Sequence, residues 1–260
     1  MDAETLAKLR GRRDIECRLA PGLELRTLAD AEEFLHKRGL LTRTPDSALP
    51  SLYEACQEEP YQAGGRGFAS WPATKWPWFG ELAERGYLVT AIHRGKNLLV
   101  TDDVARLINP IARAEIARWH EADRSSARLL DHLAAAGPSH LDDLRTELGL
   151  GRAELRALRE PLERSGAIIA RSAEVTTGEG HRHTSELFRW DQAYPASADS
   201  GVRPGQALAD LVVAGVQAAV LAPEAEPRRW FSWPQYWTAR LMDDLVHAGR
   251  LSRIDGWVTT

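Results

Sequence analysis

The sequence predicts a mainly α-helical protein with small β-hairpins, an α+β fold in which one supersecondary unit is used three times. Two observations lead there. Phe68-Ala69-Ser70-Trp71-Pro72 returns late in the chain as Phe231-Ser232-Trp233-Pro234, and matches continue downstream of both, as they do when a unit is repeated. The spacing Leu-x-x-x-Gly-x-Leu/Ile occurs over 82–88, 162–168 and 245–251, with a related Leu35-His36-Lys37-Arg38-Gly39-Leu40 near the start. In each copy the glycine ends a helix in the left-handed conformation that a Cβ disfavours, and the next apolar residue opens a strand.

Composition narrows the classes. The chain has 260 residues, 43% hydrophobic and 27% charged, which suits one large folded unit or two to three small ones packed together rather than a disordered chain. Its net charge of −4 excludes a strong positive field over the whole surface, so any basic site is local. The two cysteines, Cys17 and Cys56, have no metal-ligand or disulfide-framework spacing. The N-terminal MDAETLAKLRGRRD lacks the apolar core of a signal peptide. The most apolar stretch, 208–221, contains Asp210 and Gln217 and falls short of the roughly 20 residues that span a bilayer. A cytoplasmic protein without metal, cofactor or membrane partner is expected.

Taken in order, residues 1–26 form an N-terminal arm and 27–103 a first unit. That unit runs through the helix of Trp78-Phe79-Gly80-Glu81-Leu82, a glycine stop at Gly86, and a hairpin turning at Gly95. Residues 104–192 hold connecting helices and a second unit. Here 102–108 and 111–121 read as two helices, with Pro110 at a first-turn position. Ser125 is placed to cap a helix carrying Leu129, Leu130 and Leu133, and Ser139-His140-Leu141-Asp142 has capping-box spacing before a short helix ending at Gly149. A third helix, 152–165, buries Leu155, Leu158 and Leu162, and its internal Pro161 should cost about 3 kcal/mol or kink the last turn. Strands over 168–176 and 185–190 then form a hairpin around a polar turn. Three helices followed by a hairpin is the order of a winged helix, and tandem winged-helix units are the expected architecture. A turn-rich linker over 193–204 leads to the third unit, 205–260.

In a winged helix the third helix usually enters the major groove while the wing touches backbone or minor groove. Arg152, Arg156 and Arg159 occupy a narrow arc of the third helix away from its leucines, and they read equally as phosphate contacts and as a solvated face shared with Glu160 and Glu163. The wing tip His181-Arg182-His183 is placed to reach a groove, and no third ligand stands near its histidines to hold a metal. Residues 62–101 carry a net charge of +3, and the hairpin tip His93-Arg94-Gly95-Lys96 resembles a phosphate clamp, or a type I′-like turn with incidental charges. Trp71, Trp76, Trp78, Trp233 and Trp237 suit packing of one unit on the next, with base stacking as the alternative. Trp71 and Trp233 are expected in equivalent, mostly buried positions. There is no HExxH, GxSxG, P-loop or GxGxxG, and the acidic pairs are sequence neighbours that do not converge on one substrate.

Ala48-Leu49-Pro50-Ser51-Leu52-Tyr53-Glu54-Ala55, Trp76-Pro77-Trp78-Phe79-Gly80-Glu81-Leu82 and Arg94-Gly95-Lys96-Asn97-Leu98-Leu99-Val100 resemble the AlkZ-like winged-helix proteins, bacterial relatives of the AlkZ/YcaQ crosslink-repair DNA glycosylases. The resemblance is strongest over 27–120. It implies tandem winged helices around a concave face that binds duplex DNA and, for the catalytic members, excision of bulky alkylated bases without metal or cofactor. Those members carry a Gln-hydrophobic-Gln or Gln-hydrophobic-Asp motif. None of Gln57, Gln62, Gln192, Gln206, Gln217 or Gln235 has Gln or Asp two residues later. A DNA-binding protein without base excision is therefore expected, with a divergent glycosylase and a protein-interaction scaffold as alternatives.

Overall fold

The computed structural model of the chain describes residues 2–177, 180–195 and 201–260, with side chains over 3–173, 184–195 and 201–260. Helix α1 (Asp2–Glu16) precedes a run of α2 (Leu28–Arg38), β1 (Leu40–Thr42), α3 (Leu52–Ala55), α4 (Trp78–Glu84), β2 (Leu88–His93) and β3 (Lys96–Val100). Helix α5 (Asp102–Ala122) connects this run to α6 (Arg124–Ala136), β4 (Ser139–His140), α7 (Leu141–Leu148), α8 (Arg152–Arg164), β5 (Ile168–Thr177) and β6 (Gly180–Arg189). After α9 (Trp190–Ala193) the order returns as α10 (Pro204–Ala219), β7 (Ala222–Pro223), α11 (Pro227–Trp230), α12 (Leu241–His247), β8 (Ser252–Ile254) and β9 (Trp257–Thr259).

The order helix, strand, two helices, hairpin thus occurs three times, and the sheets agree strand for strand. In each, the last strand of the hairpin lies in the middle of an antiparallel three-stranded sheet: β1-β3-β2, β4-β6-β5 and β7-β9-β8. Val100 pairs with Leu40 on one side and Leu88 on the other, and Val258 pairs with Ala222 and Arg253. The hairpin over 168–190 is present as β5 and β6, with Ile169 opposite Phe188. The glycine of the repeated spacing has positive φ in each copy: 102° at Gly86, 75° at Gly166 and 69° at Gly249. Only there can the chain leave the helix and turn directly into the strand without Cβ strain.

Each of the first two units has a core of its own. Phe34, Leu35, Leu52, Phe79 and Leu82 fill the first, and Leu129, Leu133, Leu144, Leu155 and Leu162 the second. A third cluster is shared: Leu40, Ile92 and Val100, Ile108 and Ile111 of α5, Ile169 and Trp190, and Leu208, Leu211 and Val212 of α10 pack together with Trp230, Trp233 and Val258. The units meet at β2. The Trp233 indole N–H donates to the Ser165 carbonyl at 2.9 Å, the Ser232 amide and hydroxyl donate to the Ile92 carbonyl, and a Cβ on Gly166 would stand 3.2 Å from Ile92. Arg13 of α1 and Arg38 of α2 donate to carbonyls at the end of α10, satisfying acceptors the helix cannot.

Several expectations are corrected. The connecting segment is one helix, α5, with Pro110 in its interior. The missing amide leaves one carbonyl of the preceding turn without its helical partner, while burial of Ile108 and Ile111 on either side holds the axis in place. Pro161 likewise sits inside α8 without ending it, its last turn anchored by buried Leu162. The cap of α6 is Asp123, whose carboxylate accepts from the Ser126 amide, rather than Ser125. Ser139 and His140 form β4 rather than a capping box, and the Ser139 hydroxyl donates to the Gly137 carbonyl. Trp71 and Trp233 differ: Trp233 is wholly buried at the junction of the units, whereas Trp71 is half-buried at the edge of the first core.

Candidate nucleic-acid interface

The first hairpin turns through Arg94 and Gly95 at φ 55° and 78°, positive at both central positions as a type I′ turn requires. The third hairpin turns the same way through Asp255 and Gly256, at 47° and 76°. Asp-Gly is a favoured pair for this turn; an arginine at the first position bears the left-handed cost with no local compensation. What holds it is Asp46. The Arg94 guanidinium donates to the Asp46 carbonyl at 2.6 Å and lies 3.5 Å from its carboxylate, Lys96 pairs with the other carboxylate oxygen, and His93 Nε2 lies 3.0 Å from the first. The His93 ring is fully buried, with Nδ1 2.8 Å from the Trp230 carbonyl oxygen. Burial pushes its pKa below the ordinary histidine value against the pull of Asp46. Burial raises the Asp46 carboxyl, but hydrogen bonds from Lys96 and His93 outweigh it and leave the pKa lowered. The two exposed cations of the tip therefore share one half-buried carboxylate.

This tip faces α8 across a cleft of about 920 Å³. Arg94 lines one wall, and Arg152, Arg156, Arg159 and Arg164 of α8 line the other. Arg145 and Asp142 of α7 close one end, beside Thr184 and Ser185 of β6. The carboxylates of the cleft are largely committed to neighbours on their own helix: Glu160 accepts from Arg156 at 2.6 Å, Glu163 from Arg159 at 3.1 Å and Asp142 from Arg145 at 3.2 Å. Burial pushes the Glu163 carboxyl up against the pull of Arg159, while the hydrogen bond from Arg156 lowers Glu160. Among the described residues, no carboxylate pairs with Arg152 or Arg164, and both are exposed. Six guanidinium groups face three carboxylates here, in a protein whose net charge is −4.

The structure therefore brings together Arg94, Arg152, Arg156 and Arg159 of the sequence-predicted residues. Lys96 lies on the far side of the hairpin tip, in an adjoining cleft with Thr42 and Asn97. The side chains of His181, Arg182 and His183 lie outside the described residues. Sequence reasoning missed Arg145, Arg164 and Asp46. Arg145 and Arg164 do belong to the helices flanking the predicted residues, but Asp46 stands in a loop with no pattern and reaches the hairpin only in three dimensions. No group of three His, Cys, Asp or Glu able to hold a metal ion is found among the described residues, and no helix among them is long and apolar enough to cross a membrane.

No family profile matches this sequence, and no curated protein does. The structure is similar to that of the Streptomyces sahachiroi DNA glycosylase AlkZ, with a TM-score of 0.54 over 96% of this chain and 70% of that one, at 17% sequence identity. At that identity the likeness is one of fold alone, extending over nearly all of this chain and 70% of that one.

Proposed function

We propose that the protein binds duplex DNA without excising bases, and that its three repeated units are winged helices: 27–103, the later part of 104–192, and 205–260, with 1–26 as an arm and 193–204 as a linker. The observation that carries the reading is the arginine-lined cleft between the first hairpin and α8. In a winged helix α8 would be the helix presented to the major groove. Arg152, Arg156 and Arg164 would take phosphates, which position the protein on a duplex regardless of sequence. The likeness in fold to a DNA glycosylase supports the same partner. Base excision needs a positioned water or carboxylate beside the sugar, and none of the glutamines lies in the Gln-x-Gln or Gln-x-Asp spacing.

Fluorescence anisotropy on a duplex across a salt series tests the reading. Each phosphate contact contributes a slope of about −0.9 in log affinity against log salt, so Arg152→Ala with Arg156→Ala should flatten the slope by up to about two. Absence of binding at low salt, or an unchanged slope, removes the cleft from the function and leaves a protein-interaction scaffold. Incubation with a duplex carrying alkylated purines, followed by cleavage at abasic sites on a gel, should show no product above background.

A further inference from the structure

Beside the first hairpin tip lies a second cleft, of about 340 Å³, whose lining includes Arg43, Asp46, Trp71, Gly95, Lys96 and Asn97. Its volume is at the lower end of the roughly 300–1,000 Å³ of small-ligand pockets, room for a nucleotide and far too little for a duplex. Arg43 dominates it. The guanidinium carbon lies 5.0 Å from the centre of the Trp71 ring and 4.6 Å from that of Phe79. Its Nε is buried and has no hydrogen-bond partner, and no carboxylate pairs with the side chain among the described residues. A cation desolvated between two rings with an unmet N–H is compensated by an anion, and Asp46, the only carboxylate lining this cleft among the described residues, is already shared by Arg94, Lys96 and His93.

Trp71, which Arg43 covers, carries two further rings that no core covers. Phe68 is 76% and Trp76 50% exposed. Phe68 packs edge-on to Trp71 at 4.3 Å between ring centres, and Trp76 lies tilted at 6.5 Å on the same indole. The loop holding them is tied down. Tyr53 donates its hydroxyl to the Trp76 carbonyl at 2.7 Å, Lys75 donates to the Cys56 carbonyl, and the amides of Tyr61 and Gln62 donate to the carbonyls of Trp71 and Ala69.

We propose that this second cleft takes one unpaired nucleotide of a DNA strand, its phosphate held by Arg43 and Lys96 and its base stacked on the exposed Phe68 and Trp76 rings. Exposed rings accept any base face, and arginine contacts beside them are a recurrent way of holding single-stranded nucleic acid. The route rests on the duplex reading above: Gly95 lines both clefts, so a strand leaving the arginine cleft passes the hairpin tip into this one.

The test is anisotropy at low salt with a blunt duplex, the same duplex bearing a four-thymidine overhang, and free oligothymidylate, the last also followed by tryptophan fluorescence. The overhang should tighten binding by at least about fivefold. Phe68→Ser with Trp76→Ser, and separately Arg43→Gln, should abolish that gain and leave blunt-duplex affinity within twofold. Phe68 and Trp76 are surface residues, so their variant carries the test even where Arg43→Gln fails to fold by circular dichroism. Equal affinity of the wild type for blunt and overhang duplexes overturns the inference while the duplex reading stands, as does an equal loss for both probes in the variants. Where no duplex binds at all, the duplex reading falls by itself. Oligothymidylate quenching that the variants remove then supports the nucleotide site, and its absence overturns it.

Discussion

Gly215 of α10 shows how local preference and packing compete at one atom. A Cβ there would stand 2.8 Å from the fully buried Trp230 ring. Alanine gains about 1 kcal/mol of helix propensity over glycine, and overpacking a buried ring costs about 1–3 kcal/mol. Gly215→Ala is therefore expected to lower the midpoint of thermal unfolding, where propensity alone would raise it. His93 ties the fold to pH. Its folded pKa is depressed by burial, with Asp46 and the Trp230 carbonyl pulling it up and Arg94 pushing it down. The unfolded chain then binds a proton that the folded one refuses, so stability is complete above the ordinary histidine value of about 6.5 and declines as pH falls below it. Asp46, also depressed, adds a loss in the same direction below about pH 4. Melting curves from pH 8 to 5 should show this decline, and His93→Gln should melt lower at pH 8 but with a shallower pH dependence. An unchanged slope in the variant would remove His93 as its source. No sequence pattern marks this group, because its partners come from a loop at 46 and a helix at 230.

Between elements, Glu115 of α5 forms a polar junction and is fully buried. One carboxylate oxygen accepts from the Gln235 amide at 2.7 Å and the Tyr236 hydroxyl at 2.8 Å, and the other from Arg118 at 2.6 Å. It fastens the connecting helix to the loop that follows Trp233. Replacing it by alanine leaves Arg118, Gln235 and Tyr236 without their acceptor, an expected loss of about 2–4 kcal/mol by urea denaturation. Burial pushes the Tyr236 hydroxyl up, followed by its hydrogen bond to Glu115, so the phenol remains a donor at any physiological pH. The hairpins and glycine stops were legible because their signals are local: a left-handed glycine and a two-residue turn are each decided within a few residues. The single helix α5 was not legible. Pro110 is a strong local break signal, and what overrides it is burial of Ile108 and Ile111 against α10, about a hundred residues away in sequence.

Across the three units, the shared cluster containing Ile92, Ile108, Ile169, Leu208 and Trp233 means that none of them buries all of its apolar surface alone. Unfolding in urea followed by tryptophan fluorescence and by far-ultraviolet circular dichroism should give coincident, single transitions despite the repeat. Separate transitions would show the units to be independent. Charge is arranged at the same level. A chain of net charge −4 presents six arginines around one cleft because they come from the first hairpin, α7 and α8, which the shared core holds face to face.

The sequence by itself determined the α+β class, the threefold repeat of helix, glycine stop and hairpin, and the candidacy of Arg94, Arg152, Arg156 and Arg159. Each of those rests on periodicity or turn chemistry that acts between near neighbours. Only the tertiary structure decided that these arginines line one cleft, that Asp46 takes up part of the charge of Arg94 and Lys96, and that Trp233 is core while Trp71 lines a second cleft beside Arg43. The physical reason is common to all three. Burial and pairing depend on which distant segments come to lie within a few ångströms, and two tryptophans in the same local motif differ only in what the rest of the chain brings against them.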